Sequence, residues 1–188
     1  MRIVARMVWW SVLLCLGGLV FGRQGLGNAQ PASNIQPANN ILLDGSFEET
    51  KPRDQFGLVF KHWGGWKYEG ECEFRVGQIA RTGKTSCLLY GGHQPKIRVR
   101  YQHRQLPAGR YKITGYIRGL DIGEGMWRAT TEFAFDDKYF QLKKNGTFGW
   151  TPVTYVVEIK QPRTDVGGPS FGLMAPGYLW IDDVTMVP

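Results

Sequence analysis

No stretch of a dozen residues in this sequence repeats its apolar residues every three or four positions, as an amphipathic helix does. After the first forty residues, short segments alternate apolar and polar residues instead. Tyr111, Ile113 and Ile117 share one face of such a segment, and Tyr116 and Arg118 share the other. A strand with one buried face gives this alternation, so the sequence predicts a β-rich fold.

Turn sequences divide the chain into many short strands. Besides residues 111–118, we predict strands at residues 71–77, 86–90, 96–102, 129–135, 153–159 and 179–187. Glycine- or proline-containing turns fall at residues 81–84, 106–109, 144–147 and 175–177. This spacing predicts an all-β, two-sheet antiparallel sandwich.

The first 29 residues are typical of a secretory signal. Arg2 and Arg6 precede an apolar run over residues 8–20, and Ala29 is a small residue of the kind that signal peptidase selects. A membrane anchor is the alternative, but it needs about 20 consecutive apolar residues, and this run is followed by Arg23. We therefore expect an exported protein with no membrane span after signal removal, a linker at residues 30–39 and a folded domain at residues 40–188.

The charge of the chain gives little indication of its partners. The formal net charge is +7, and it falls to +4 without residues 1–29, which hold three arginines and no acid. The remaining basic residues are scattered among acids rather than clustered as in nucleic-acid-binding proteins. We expect no nucleic-acid partner.

Two cysteines, Cys72 and Cys87, follow the signal segment. An oxidising compartment favours a disulfide between such a pair. In the predicted strand pair around the 81–84 turn, both cysteines fall on apolar faces, which allows a bridge inside the sandwich. Two free thiols are the alternative.

Five segments resemble the CenC-type carbohydrate-binding modules. Residues 40–48 (NILLDGSFE) resemble the opening N-L-L-x-N-G-x-F-E motif of that family, with Asp44 at the usual asparagine, and residues 179–184 (LWIDDV) resemble its closing strand. Residues 82–86 (TGKTS), 106–111 (LPAGRY) and 149–151 (GWT) are similar to its middle motifs, in the same order. The resemblance implies a galactose-binding-like jelly roll of bacterial origin, and a separate polysaccharide-degrading enzyme as a partner.

The same resemblance implies a structural calcium ion, since Ca²⁺ prefers carboxylate and carbonyl oxygens. Glu48 and Asp182 would supply side chains, while Ser46, Thr82 and Thr85 would supply backbone carbonyls. The alternative is that the two carboxylates accept hydrogen bonds from turn backbones and hold the sheet without a metal.

Aromatic side chains are the candidate ligand contacts, because sugars stack their C–H faces on flat rings. Tyr116 matches a position where the family often places a stacking ring, and Arg118 lies on the same strand face. The remaining candidates are two tryptophans of a second platform, a third tryptophan and two hydrogen-bonding residues: Trp63, Trp66, Trp127, Tyr68 and Gln102.

Burial is the alternative for each of these rings, since tryptophan and tyrosine often serve the core. Trp66 is the residue that best fits a core-facing tryptophan early in such a sandwich. We assign Trp150 and Trp180 to packing, and Arg118 could equally form an ion pair within the sheet.

Catalytic motifs are missing from the sequence. It holds no E-x-D-x-x-E run and no zinc-binding histidine spacing. We expect a non-catalytic module that binds a polysaccharide or oligosaccharide. A protein–protein interaction domain of the same fold is the first alternative, and a small glycoside hydrolase using Glu71 and Glu132 is the second.

Overall fold

The structure is a computed structural model that describes residues 37–52, 58–102, 105–125, 131–135, 138–142, 144–162, 164 and 167–188. In these residues the chain forms strands and no helix, and so no helix that could cross a membrane. The strands are β1 (Thr50–Pro52), β2 (Leu58–Phe60), β3 (Trp63–Glu69), β4 (Cys72–Gly77), β5 (Ser86–Gly91), β6 (Lys96–Gln102), β7 (Gly109–Ile122), β8 (Thr131–Phe135), β9 (Lys138–Gln141), β10 (Gly146–Ile159), β11 (Gly167–Leu173) and β12 (Gly177–Val187).

Two five-stranded antiparallel sheets carry the fold. Sheet I has the order β10-β7-β12-β5-β4, and sheet II has the order β3-β6-β11-β8-β9. Strands β1 and β2 form a separate two-stranded pair. The predicted all-β, two-sheet antiparallel sandwich is confirmed.

Strands β3 and β11 were not predicted, because glycine interrupts the apolar alternation of both. Their sequences are WGGWKYE and GGPSFGL. Both strands are instead stabilised by backbone pairing with a neighbour, since β6 pairs with β3 on one side and with β11 on the other. Gly70, whose φ is +68°, separates β3 from β4, so the predicted strand at residues 71–77 begins one residue later.

The core lies between the two sheets and is rich in aromatic rings. Phe133 and Phe171 of sheet II meet edge to face, with ring centroids 5.3 Å apart, and Phe133 stacks on Tyr155 of sheet I at 4.3 Å. Gly115 of β7 leaves the room for this packing, because a Cβ there would lie 2.8 Å from Phe171 Cζ.

The loop before β1 closes one end of the sandwich. Phe47 is fully buried, and its ring centroid lies 4.6 Å from that of Trp63. Backbone hydrogen bonds tie the loop to β12: Ile41 N–H donates to Met186 O, and Val184 N–H donates to Gly45 O. The loop therefore brings residues 44–48 next to the closing strand.

The predicted disulfide between Cys72 and Cys87 is wrong. Both thiols are free and buried, and burial raises the pKa of each. Cys72 lies opposite Gly91 on β5, four positions from Cys87. Four residues of strand span about 13 Å, whereas a disulfide tolerates a Cα separation of roughly 7 Å at most.

Candidate functional site

The solvent-facing side of sheet II carries an aromatic and cationic surface, which we call the outer face of sheet II. Its described members are Trp66 and Tyr68 of β3, Lys96, Arg98 and Arg100 of β6, Gly172 of β11 and Glu132 of β8. Strand alternation produces it, because Ile97, Val99 and Tyr101 of β6 are buried and the residues between them point outward.

Trp66 and Tyr68 provide exposed rings on this face. Trp66 is 38% exposed and Tyr68 is 50% exposed. They point outward because Trp63 and Gly65 of the same strand point into the sandwich, where a Cβ on Gly65 would meet the Phe74 ring at 2.4 Å. Two residues along a strand separate the side chains by about 7 Å, so both rings lie side by side on this face.

Cations of β6 lie beside these two rings. The guanidinium carbon of Arg100 lies 5.7 Å from the Trp66 ring centroid, and that of Arg98 lies 5.4 Å from the Tyr68 centroid. Lys96 Nζ lies 5.9 Å from the Tyr68 centroid. These contacts are within cation–π range, so they restrict the orientation of the rings before any ligand binds.

An ion pair between Arg98 and Glu132 forms the floor of the face. Arg98 Nε donates to Glu132 Oε1, although the two residues lie on strands that flank β11. Gly172 sits between them and makes the contact possible, because a Cβ there would lie 2.8 Å from Glu132 Cγ and 3.1 Å from Arg98 Cγ. Both charged side chains are largely buried, so the pair is shielded from solvent.

The chemistry of this face suits a polyhydroxylated ligand. Exposed rings offer apolar contact to the C–H side of a pyranose, and arginine offers several N–H donors in a fixed plane. Among the described residues, no cluster of three or more His, Cys, Asp or Glu side chains is placed to hold a metal ion.

Of the two tryptophans of β3, both of which were predicted as ligand contacts, one is buried and one is exposed. Trp63, predicted as a ligand contact, is 3% exposed, packs against Phe47 and Tyr101, and donates from Nε1 to Asp44 O at 3.0 Å. That prediction is wrong because Trp63 points into the core. Trp66, for which burial was the alternative, lies on the outer face of sheet II.

Tyr116 and Arg118 lie on the opposite side of the sandwich, on the solvent-facing side of sheet I. Gly115 and Ile117 of β7 are buried, so these two residues point outward from that sheet. The Arg81 guanidinium carbon lies 3.6 Å from the Tyr116 ring centroid and covers that side of the ring. Arg118 lies over Trp180, at 5.9 Å from its ring centroid. The predicted ligand contacts are thus divided between two faces.

Two further candidates cannot be placed. Trp127 lies outside the described residues, and Gln102 ends β6 with its side chain outside the described part of the structure. Trp180, which we assigned to packing, is buried as expected, although it packs on the solvent side of sheet I rather than in the core between the sheets.

The cations of β6 were not among the residues predicted from the sequence to form the candidate site. Lys96, Arg98 and Arg100 alternate with three apolar residues, which is the same period-two pattern that identified β7. The alternation in β6 was visible in the sequence. However, outward-facing cations on a single strand are indistinguishable from ordinary solvent-exposed charges until the neighbouring strand is known. The pairing of Trp66 with Arg98 across β3 and β6 places these cations beside exposed rings, which makes the face a candidate site.

The residues expected to bind calcium converge on the turn at residues 81–85. Glu48 Oε1 accepts hydrogen bonds from Lys84 N–H and Thr85 N–H at 2.8 and 2.9 Å. Asp182 Oδ2 accepts from Arg81 N–H and Thr82 N–H at 2.7 and 3.3 Å. Thr85 Oγ1 donates to Phe47 O. Ser46, the residue before Phe47, is buried. Both carboxylates thus accept hydrogen bonds from the backbone of the turn, which is the arrangement expected if no metal is bound.

Asp182 carries a buried charge in this arrangement. It is fully buried, and burial together with the neighbouring Asp183 raises its pKa to about 7, against the opposing effect of hydrogen bonds from Arg81, Thr82 and Asp183. A carboxylate with so high a pKa lacks full compensation by positive charge. A divalent cation beside this carboxyl would lower its pKa, although no group of three or more His, Cys, Asp or Glu side chains among the described residues is placed to hold one.

No model of a protein family matches this sequence, and no curated protein is detectably similar to it. Solved structures with a similar fold are found despite low sequence identity. The family 61 carbohydrate-binding module TmCBM61, in complex with β-1,4-galactotriose, is 16% identical; the match covers 78% of this chain and 97% of the module, with a TM-score of 0.53.

Two other structures share the fold. The C-terminal family 22 carbohydrate-binding module of Clostridium thermocellum Xyn10B is 15% identical, with 84% of this chain and 96% of the module covered and a TM-score of 0.50. The enzymatically active domain of bacteriophage CBA120 tailspike protein 4 is 13% identical, with 79% of this chain but 21% of that chain covered and a TM-score of 0.53. This chain therefore has the β-sandwich fold found in carbohydrate-binding modules.

Proposed function

We propose that this protein is an exported, non-catalytic module that binds a polysaccharide or oligosaccharide on the outer face of sheet II. The observation that carries the proposal is the pair of exposed rings, Trp66 and Tyr68, held beside Arg98 and Arg100 on a rigid sheet. A preformed aromatic surface binds without the cost of ordering its side chains.

The fold supports the same proposal, since two structures that share it are carbohydrate-binding modules. An open sheet face makes fewer contacts than an enclosed pocket. We therefore expect a dissociation constant on the order of 10–100 µM for a short glycan, which corresponds to about 5.5–7 kcal/mol.

A glycan array followed by calorimetry tests the proposal. Trp66→Ala should weaken binding by about two- to tenfold, since an aromatic contact contributes about 0.5–1.5 kcal/mol. Tyr178→Ala is the matched control, because Tyr178 is 39% exposed and lies on sheet I. Wild-type protein that binds no plant, algal or bacterial glycan would refute the proposal.

We infer the cellular setting from the N-terminal sequence. Residues 1–29 combine Arg2, Arg6, an apolar run and Ala29, which supports cleavage of a signal and export, in keeping with a role outside the cytoplasm. A separate polysaccharide-degrading enzyme is the proposed partner. Mass determination of the mature N-terminus tests the cleavage directly.

We also propose that calcium binds at the turn formed by residues 81–85. Glu48 and Asp182 would hold the ion through their carboxylates, with backbone carbonyls of Ser46, Thr82 and Thr85. The support is the buried, incompletely compensated charge of Asp182. The ion would stabilise the loop and the turn and take no part in chemistry.

Protein binding is the second candidate function, because sheet I also exposes apolar side chains. Tyr178 and Leu120, which are cross-strand neighbours, are each 39% exposed, and Val156 is 50% exposed. Exposed apolar surface of this kind suits a protein partner. Failure of the glycan array, together with partner capture that Tyr178→Ala abolishes and Trp66→Ala preserves, would favour this function.

A further inference from the structure

The charges on the outer face of sheet II are unequally balanced. Strand β6 directs Lys96, Arg98 and Arg100 outward, and the described outward side chains of β3 and β11 that flank it include no carboxylate beside Arg100. Glu132 of β8 is ion-paired with Arg98. The face therefore carries more positive than negative charge beside its exposed rings.

Arg100, one of the three outward-facing cations of β6, has no acidic residue as a cross-strand partner. Its cross-strand partners are Gly64 on β3 and Ser170 on β11. Among the described residues, no carboxylate oxygen lies within 4.0 Å of the Arg100 guanidinium. Lys96 differs, because Glu69 is its cross-strand partner.

Arg100 is also placed for recognition of a ligand on Trp66. Its guanidinium carbon is 5.7 Å from the Trp66 ring centroid, and Gly64 adds no side chain at the position opposite. A pyranose stacked on Trp66 would have its ring substituents within reach of this guanidinium. The planar N–H pair of arginine matches the two oxygens of a carboxylate or a sulfate.

We propose that the glycan bound on the outer face of sheet II is acidic, with an anionic substituent that pairs with Arg100. This inference rests on the proposed carbohydrate-binding function. The anion is a uronate carboxylate or a sulfate ester, which share this recognition chemistry. Arg98 and Glu132 form a largely buried pair whose charges offset each other, so they lie beneath the bound glycan and do not pair with its anion.

Affinity electrophoresis and calorimetry of the purified protein test the proposal with three probes. The probes are neutral β-1,4-galactan, polygalacturonate as the carboxylate source and sulfated galactan as the sulfate source. We expect at least tenfold tighter binding to one acidic polymer than to neutral galactan at low salt, with the preference falling as salt rises, since a charge-assisted hydrogen bond contributes more than a neutral one.

Variants separate specificity from binding as such. Arg100→Ala should remove most of the acidic preference, Arg100→Lys should retain part of it, and Trp66→Ala should weaken binding to every polymer. Arg110→Ala is the matched control, since Arg110 is an exposed arginine on sheet I.

Three results would contradict the proposal, and they are distinguishable from one another. Equal or tighter binding of neutral galactan, lost in Trp66→Ala and unchanged in Arg100→Ala, refutes the acidic ligand and leaves carbohydrate binding intact. No binding to any of the three polymers or to a wider glycan panel refutes the proposed function itself. An acidic preference that Arg110→Ala reduces as much as Arg100→Ala refutes a specific anion contact.

Discussion

The solvent-facing sides of the two sheets both place arginines next to aromatic rings, but they differ in what covers the rings. On sheet I, Arg81 lies 3.6 Å from the Tyr116 centroid, and Trp180 is buried under Arg118 and its neighbours. On sheet II, Trp66 and Tyr68 remain exposed, with their cations more than 5 Å from the ring centroids.

The turn at residues 81–85 is the cause of the difference. Asp182 on the outer side of sheet I accepts hydrogen bonds from the turn's backbone, which draws Arg81 over Tyr116. Sheet II has no equivalent contact among the described residues on Trp66 or Tyr68. An outward-pointing ring therefore stays accessible to a ligand only where no turn packs on it.

The two tryptophans of β3 give the largest expected contrast. Trp63→Ala should lower the free energy of unfolding by about 3–5 kcal/mol, because it opens a cavity in the core. Trp66→Ala should change it by less than about 1 kcal/mol, because the ring is partly solvated. Urea denaturation measures both, and equal losses would mean that Trp66 is structural and not a free binding surface.

The pH dependence of stability reports on the turn that covers sheet I. In EDTA, the folded state holds the Asp182 proton more tightly than the unfolded state, since its pKa rises from 3.8 to about 7. The contribution of Asp182 to stability should therefore be largest below pH 4 and should fall by up to about 4 kcal/mol as pH rises to 7. The measurement is the difference in unfolding free energy between wild type and Asp182→Asn, in which this fall should vanish; parallel pH profiles would contradict the buried charge.

Calcium should reverse that loss if the proposed ion binds. A ligand at 100 times its dissociation constant stabilises the folded state by about 2.7 kcal/mol, so millimolar Ca²⁺ at pH 7.5 should raise the melting temperature of the wild type. Asp182→Ala should lose this response, and magnesium at the same concentration controls for ionic strength. An unchanged wild-type melting curve in EDTA and in Ca²⁺ leaves no role for the metal.

The fold could be read from the sequence because its signal is local. Alternation in β7 and turn glycines mark strands without reference to distant residues, and the prediction of a sandwich needs no register. The site depends on register, which places Trp66 beside Arg98 and sets Cys72 four positions from Cys87.

Which of the two tryptophan rings of β3 is buried also could not be predicted from the sequence. The segment around Trp63 and Trp66 has two glycines between two tryptophans, so alternation alone allows either ring to point inward. The choice comes from Phe47 and Tyr101, which pack on Trp63 from distant parts of the chain. Likewise, nothing local to Tyr116 indicates that Arg81 will cover it.

Gly172 allows a test of the floor of the sheet II face. Gly172→Ala would place a Cβ 2.8 Å from Glu132 Cγ, so the Arg98–Glu132 pair must shift. Overpacking of this kind costs about 1–3 kcal/mol, and glycan binding should weaken in parallel because Arg98 also orients Tyr68. Gly149→Ala is the control, since no heavy atom would lie within 4 Å of the added Cβ. Unchanged stability and affinity in Gly172→Ala would show that the pair is not part of a rigid floor.

Tyr116→Ala should have the smallest effect, and it tests which face binds. Arg81 would lose its cation–π contact, worth about 0.5–1 kcal/mol at a partly exposed site, but would keep its ion pair with Asp183 and its backbone hydrogen bond to Asp182. The turn should therefore stay in place, and glycan affinity should match the wild type within about twofold because Tyr116 and Trp66 lie on opposite sheets. Tyr116→Phe retains the ring and should restore the lost stability. A tenfold loss of affinity in Tyr116→Ala with a native melting temperature would show that the glycan binds on sheet I. The sugar would then have to stack on the side of the Tyr116 ring that Arg81 does not cover.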